Sequence, residues 1–368
     1  NVELAALFAP KPQGMNTAAD WTKELATKGF PDIQKVYDLV GAGDQVMLLR
    51  GEHFPHNYNA VTRSAFQTFL NRHFRLGFPE PVLEHDYQPL PPEQLTVWSD
   101  EHPAPPAADP EFERSLVTSL AADIESQVRE AAATQAGVAR VLRPAFETIL
   151  NRPFADAGRV SWELDGKDRE VGLVRMTGVL RNTTHDEEVP VAWLYPGDWN
   201  GKVVIWLDDA GCDAASISPG DEIQQLLDAG TAVVAADLYH ARDAREEDGR
   251  LRQRKVENPR EYAGYTYGYN DAAFVRSVHD VLSIVSFLRN TEVEGHPAPS
   301  HVGVAGFGDA AAVALAARVA AGSGIDRTAV DTAGFRFAAL TDWRHPLFLP
   351  GGVRYLDVPT VVDGRFVR

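Results

Sequence analysis

The sequence predicts an α/β fold, a mostly parallel sheet flanked by helices, with a helical, proline-rich connector inside it. Three observations carry this. Short continuous apolar runs such as Val203 to Leu207 and Thr231 to Ala236, the pattern of strands buried on both faces, alternate with stretches of helical periodicity. Between residues 79 and 110 the chain turns rich in proline, with polar or small residues in between. Finally, 368 residues with 44% hydrophobic and 24% charged content suffice to bury a sizeable core, as two domains or one large α/β domain.

Taken in order, Val2 to Phe8 reads as a first short strand ended by Ala9-Pro10-Lys11-Pro12, and Gln45 to Leu49 as a second closed by Gly51. Between them Phe30-Pro31-Asp32 opens a helix through Ile33, Val36, Tyr37 and Val40, stopped at Gly41. A loop, Glu52 to Asn59, leads into a helix from Val61 to Leu76 with a Gly77 stop. Residues 1–78 thus form one α/β piece and 79–159 the connector. Within the connector, Pro110 to Leu150 carries two helices with acidic residues early and arginines late, matching the helix dipole, which could cap the following domain or bridge two lobes.

Residues 160–368 form the second α/β piece. Gly172 to Arg181 and Val189 to Tyr195 alternate like paired antiparallel strands joined through Asn182 to Asp186. Val203 to Leu207 and Thr231 to Ala236 are buried strands separated by a helix from about Pro219 to Asp228. Ala241 to Arg260 mixes charges of both signs and reads as a solvated loop, and Asn270 to Arg289 is a strongly amphipathic helix. His301 to Ala305 is a strand, Gly306 to Ala310 a tight turn and Ala311 to Ala320 a small-residue helix. A last strand is expected around Thr332 to Phe337, and no solenoid or propeller repeat is present.

A formal net charge of −17 disfavours nucleic acid and anionic membrane surfaces as partners, because phosphate binding relies on clustered Lys and Arg. No run approaches the roughly 18 uninterrupted apolar residues of a spanning helix. The single cysteine, Cys212, excludes a disulfide within the chain and leaves the compartment open. A small neutral molecule is the partner that fits, with no cofactor; the oligomeric state is not set by the sequence.

Two places could hold chemistry. Strand, Gly306-Phe307-Gly308-Asp309-Ala310, then helix is the frame of a nucleophile elbow, but glycine stands at the nucleophile position, Gly308, and has no side chain with which to attack. The turn could instead hold an anion on its amides. The other place is Asp20-Trp21-Thr22 after the first strand and His53-Phe54-Pro55-His56-Asn57-Tyr58-Asn59 after the second. Both loops then lie at the carboxyl edge of a parallel sheet, where doubly wound sheets bind ligands. An acid that precedes its histidine in the chain follows the order Ser, Asp, His of α/β serine hydrolases, with no serine in this segment. The alternative reading is a helix-capping Asp20 and two surface histidines. His53 and His56 lack a third or fourth ligand nearby, so no metal is expected. Cys212, after a strand end, reads either as a nucleophile or as a small buried hydrophobe.

The run Leu4 to Pro12, then Asp20-Trp21-Thr22, then Pro55-His56-Asn57-Tyr58-Asn59 with Arg63, resembles the last two strands of the acetyl-xylan-esterase-like α/β-hydrolases. The resemblance implies an α/β-hydrolase-like sheet, with Asp20 as triad acid and His56 as triad base. Residues 160–368, with Asn258 to Tyr265 and Asp331 to Phe337, resemble the first six strands of a second, degenerate hydrolase-like unit whose elbow serine is replaced by Gly308. The chain would then hold the end of one unit and the start of another, acting on a small ester or acetylated carbohydrate in a secreted or periplasmic setting. The strand count also allows the two pieces to pair into one permuted sheet, with Asp20 and His56 facing Gly308. A non-catalytic module that binds carbohydrate or a partner domain is the other function, with Trp98, Trp206 and Trp343 as stacking candidates.

Overall fold

The computed structural model describes residues 1–107, 109–216, 219–241, 247, 249, 251, 266–290, 297–355 and 357. The motif Asn258 to Tyr265 and most of the segment Ala241 to Arg260 lie outside the described residues. The chain divides into two compact units, 1–106 and 107–368.

In the first unit β1 (Gln13–Asn16) pairs in parallel with β2 (Val46–Leu49), in the register Gln13 to Val46 through Asn16 to Leu49. The helix α1 (Phe30–Leu39) makes the crossover and α2 (Ala60–Phe74) follows β2. Val2 to Phe8, expected as a strand, is instead a short helix over Val2–Ala6. Glu, Leu and Ala are strong helix formers, and Val2 and Ala5, three apart, turn one face onto the cluster of Ile33, Tyr37, Ala42 and Val46. The true first strand, Gln-Gly-Met-Asn, is too short and too polar to announce itself by periodicity. The start of the connector runs back along α2, where Ser64 and Thr68 bond the backbone of Val82 and Arg63 pairs with Glu84.

The second unit is built on a seven-stranded sheet: β3 (Val160–Glu170), β4 (Leu173–Asn182), β5 (Glu187–Pro196), β6 (Lys202–Leu207), β7 (Ala232–Ala236), β8 (His301–Phe307) and β9 (Arg327–Asp331). Their spatial order is β3-β4-β5-β7-β6-β8-β9. The first three form an antiparallel meander, β5 meets β7 antiparallel, and β7, β6, β8 and β9 are mutually parallel. This is the expected α/β-hydrolase-like sheet flanked by helices, with antiparallel strands along one side. Among the described residues β1 and β2 form a sheet of their own, and β8 lies between β6 and β9.

Alternation along the central strands sorts two cores. Val203, Ile205, Leu207, Ala232 and Val234 face the larger one, with α3 (Pro110–Ala132), α4 (Arg143–Leu150), α6 (Ala273–Asn290) and α7 (Asp309–Ala321) contributing Val128, Phe146, Val278 and Val313. The connector helices therefore cap the second unit. Val233 and Ala235 face the smaller core, closed by Ile223 and Leu227 of α5 (Asp221–Asp228). Helix α6 is buried through Leu288, so its polar residues all find work: Ser283 accepts from Asn182, Ser286 donates to the Gly158 carbonyl and His279 bonds the Leu150 carbonyl.

Two strands differ from expectation. Strand β3 is polar along most of its length, as suits an edge strand, and carries no apolar run to mark it. The last strand falls at Arg327–Asp331, before Thr332 to Phe337. That segment turns through Ala333 and Gly334 at positive φ, and its Phe335 and Phe337 stack edge-on as core filling. No helix of the described residues is long and apolar enough to cross a membrane.

Candidate acid–base site

Because β1 and β2 are parallel, the loops that leave them emerge at the same edge, and the backbone then stitches those loops together. The Thr17 amide donates to the Leu49 carbonyl, the Ala19 amide to the Phe54 carbonyl, and the Gly51 amide to the buried Thr17 hydroxyl. Gly51 is required at this crossing, since a Cβ there would lie 2.6 Å from the Thr17 carbonyl oxygen.

The outcome is direct contact between the two residues singled out in the sequence. His56 Nδ1 bonds Asp20 Oδ2 in a short hydrogen bond. The Asp20 side chain is 13% exposed and the His56 ring 76% exposed. Asp20 Oδ1 accepts from both the Thr22 amide (2.7 Å) and the Thr22 hydroxyl (2.6 Å). These bonds, with the His56 contact, lower the Asp20 carboxyl to about 2, so it is a carboxylate at neutral pH. The rest of the His56 loop is held by the next helix: Asn59 caps α2, accepting from the amides of Val61 and Thr62, and its amide donates to Asn57. Arg63 reaches back to the Tyr58 carbonyl. The His53 ring packs on Phe54.

An imidazole whose Nδ1 faces a carboxylate and whose ring is open to water can take up and release a proton at Nε2. Sequence reasoning singled out Asp20 and His56, which the structure brings into contact, but not Thr17, Thr22 and Gly51, which hold the two loops and the carboxylate. Only the Asp-x-Thr spacing, the signature of a side-chain-bonded turn, hinted at Thr22.

In the second unit the elbow frame forms as expected. Strand β8 ends at Phe307, α7 begins at Asp309, and Gly308 between them has φ 55° and ψ −130°, a conformation that side-chain-bearing residues adopt only under strain. A Cβ on Gly308 would have the exposed Asp209 carboxylate as its nearest neighbour, at 3.5 Å. Gly308 itself has no side chain with which to attack, and the Asp209 carboxylate lies beside the turn.

Cys212 is half-buried beside Asp237, whose carboxylate accepts from its amide. Burial and that carboxylate push the thiol up to about 12, so it stays protonated and a poor nucleophile. Of the three tryptophans singled out as stacking candidates, Trp206 packs on Phe307 at 4.7 Å and donates to Asp208, and Trp343 lies against Tyr267. Trp98 is exposed. Among the described residues no group of three or more His, Cys, Asp or Glu could hold a metal.

No protein-family profile matches the chain, and no curated protein matches it. Among solved structures it is similar to acetyl xylan esterase 1 from Thermoanaerobacterium sp. (12% identity, 51% of this chain and 57% of that one, TM-score 0.35). It is also similar to the acetyl xylan esterase from Paenibacillus sp. R4 (12%, 50% and 56%, TM-score 0.32) and to dienelactone hydrolase from Anabaena variabilis (12%, 42% and 62%, TM-score 0.27). The chain spans somewhat over half the length of each.

Proposed function

We propose that residues 1–106 carry the acid–base half of a serine-type carboxylic-ester hydrolase. The observation that carries this is the His56 Nδ1 to Asp20 Oδ2 bond at the carboxyl edge of a parallel strand pair, with the His56 ring open to solvent. In this reading His56 Nε2 takes the proton of an attacking serine and then returns it to the leaving alcohol. Asp20 fixes the tautomer that leaves Nε2 basic and stabilises the imidazolium. Backbone amides would hold the oxyanion. The serine comes from outside residues 1–106, and the substrate is a small ester or an acetylated carbohydrate.

The test uses p-nitrophenyl acetate. Assayed alone, the 368-residue chain is expected to turn over no faster than its His56→Ala variant. Joined behind a serine-bearing α/β-hydrolase unit, it is expected to gain turnover that His56→Ala and Asp20→Asn each lower by roughly 10³–10⁴-fold. Turnover in the joined protein that survives both substitutions would overturn the reading.

For residues 107–368, Gly308 and its Asp209 neighbour favour a non-catalytic, hydrolase-like module that binds carbohydrate or a partner domain. Gly308→Ser is expected to fold, because the added Cβ meets only ordinary van der Waals contact, to lose about 1–3 kcal/mol to backbone strain, and to gain no esterase activity. A Gly308→Ser protein that hydrolyses p-nitrophenyl acetate would remove the non-catalytic reading, and a module that retains no acetylated xylan would count against carbohydrate as its ligand.

A further inference from the structure

The carboxylate of Asp20 has two oxygens, and only one of them faces the histidine. The other is claimed by a single residue. Thr22 donates to Asp20 Oδ1 twice, from its amide at 2.7 Å and its hydroxyl at 2.6 Å. The direction of the hydroxyl bond is fixed by a third contact, since Thr22 Oγ1 accepts from the Ala18 amide at 3.0 Å. An amide can only donate, so the Ala18 bond occupies an oxygen lone pair and leaves the hydroxyl proton to point at Asp20. A directed chain results, from the Ala18 amide through the Thr22 hydroxyl to Asp20 Oδ1, and from Asp20 Oδ2 to His56 Nδ1.

We infer that Thr22 is a positioning residue of the acid–base pair. It locks rotation of the Asp20 carboxylate, so that Oδ2 alone is presented to His56 and the imidazole is held with its proton on Nδ1 and its lone pair on Nε2. This rests on the reading of Asp20 and His56 as an acid–base pair. The geometry suits the role, because a carboxylate held at one oxygen by two donors keeps the other oxygen in a fixed plane, whereas a carboxylate held only by histidine could swing about its Cβ–Cγ bond. Ala18 and Ala19 belong to the same turn, and the Ala19 amide bonds the Phe54 carbonyl two residues before His56, so the clamp and the histidine loop share one backbone frame.

The test is nuclear magnetic resonance on the whole chain, which needs no enzymatic turnover. The Asp20 carboxyl carbon and the His56 ring nitrogens are followed against pH in the wild type, Thr22→Val, Thr22→Ala and Thr22→Ser, with assignments from Asp20→Asn and His56→Gln. In the wild type and Thr22→Ser the Asp20 carboxyl is expected to titrate near 2 and neutral His56 to show one tautomer, protonated at Nδ1. In Thr22→Val and Thr22→Ala the Asp20 midpoint is expected to rise by about one unit toward that of an ordinary carboxyl, and His56 to show a mixture of tautomers. Measuring both truncations keeps the inference testable if one fails to fold. Folded Thr22→Val or Thr22→Ala with an unchanged midpoint and a single tautomer would overturn it, as would a folded Thr22→Ser that behaves like the truncations. These outcomes are separate from the esterase assay: the clamp can hold while the joined protein shows no His56-dependent turnover, in which case the functional reading alone fails.

Discussion

Each unit sets a histidine beside a carboxylate, and the two pairs are arranged in opposite ways. In the first unit His56 bonds Asp20 through Nδ1 while its ring stays open to solvent. In the second, His279 is buried, donates Nε2–H to the Leu150 carbonyl at 2.7 Å and points an unpartnered Nδ1 toward Glu187 Oε1 at 3.9 Å. Glu187 already belongs to Arg152, which binds it through two parallel bonds of 2.7 and 2.9 Å with both side chains close to nine-tenths buried. The first carboxylate is kept for its histidine and the second is spent on an arginine. Proximity of His to Asp or Glu therefore does not define an acid–base site. What defines it is which partner owns the carboxylate, and whether the free ring nitrogen can reach water or substrate.

The largest effect is expected from breaking the buried pair. Arg152→Leu leaves the buried Glu187 without the guanidinium that binds it through two bonds, and should cost about 3–5 kcal/mol in chemical denaturation of the second unit. The double variant Arg152→Leu with Glu187→Leu should recover most of that loss, because two charges no longer have to be desolvated. If the single and double variants are equally unstable, the pair contributes through packing, and the contrast with Asp20 and His56 loses its electrostatic basis.

Next in size is Gly51→Ala in the first unit. The new methyl would lie 2.6 Å from the Thr17 carbonyl, so the strand-end loops must part. A loss of about 1–3 kcal/mol is expected, together with loss of the His56 Nδ1–H signal that reports the bond to Asp20. Retention of that signal would mean that the dyad does not depend on the crossing of the two loops.

How far all this could be read from the sequence follows from which forces leave a local trace. Strands β5 to β8 and helix α6 are continuous or periodic apolar patterns, so burial writes them directly into the chain. Strands β1 and β3 are not visible in that way, since Gln-Gly-Met-Asn and a mostly polar edge strand owe their form to pairing with distant partners. Asp20 and His56 were singled out by residue type and chain order, although the segment read as the strand before Asp20 is a helix and the true strand, β1, was not visible. Gly51 and Thr17 were not, because the need for a glycine comes from a carbonyl 34 positions away that approaches it only in the folded unit. The Arg152–Glu187 pair was missed for the same reason, since it joins a connector helix end to a strand start.

A smaller effect is expected in the pH dependence that the buried histidine confers on the second unit. Burial lowers the pKa of His279, with Arg152 acting in the same direction and the Leu150 carbonyl, Glu187 and Asp271 opposing it. In the unfolded chain this histidine takes up a proton near its ordinary 6.5, so below that pH the unfolded state binds more protons than the folded one. Stability contributed by neutral His279 is therefore fully present above 6.5 and is lost as pH falls toward its lowered folded value. One proton limits the slope to about 1.4 kcal/mol per pH unit. In His279→Gln that acid-side slope should shrink. An unchanged slope between pH 5 and 6.5 would show that another group carries it.

The smallest effect on folding is expected from His56→Ala, and it is the most informative. The ring is largely exposed and contributes no core packing, and among the described residues its one bond goes to a carboxylate already held by Thr22, so the denaturation midpoint should stay within the scatter of repeated measurements. An equivalent truncation of His279 removes a buried ring and its bond to Leu150 and should lower the midpoint clearly. That outcome for His56→Ala is what the proposed acid–base role of His56 requires, because the fold would then not need the ring that Asp20 grips. If His56→Ala instead destabilised the first unit as much as His279→Ala destabilises the second, the Asp20–His56 bond would be a structural tie and the two pairs would differ only in exposure.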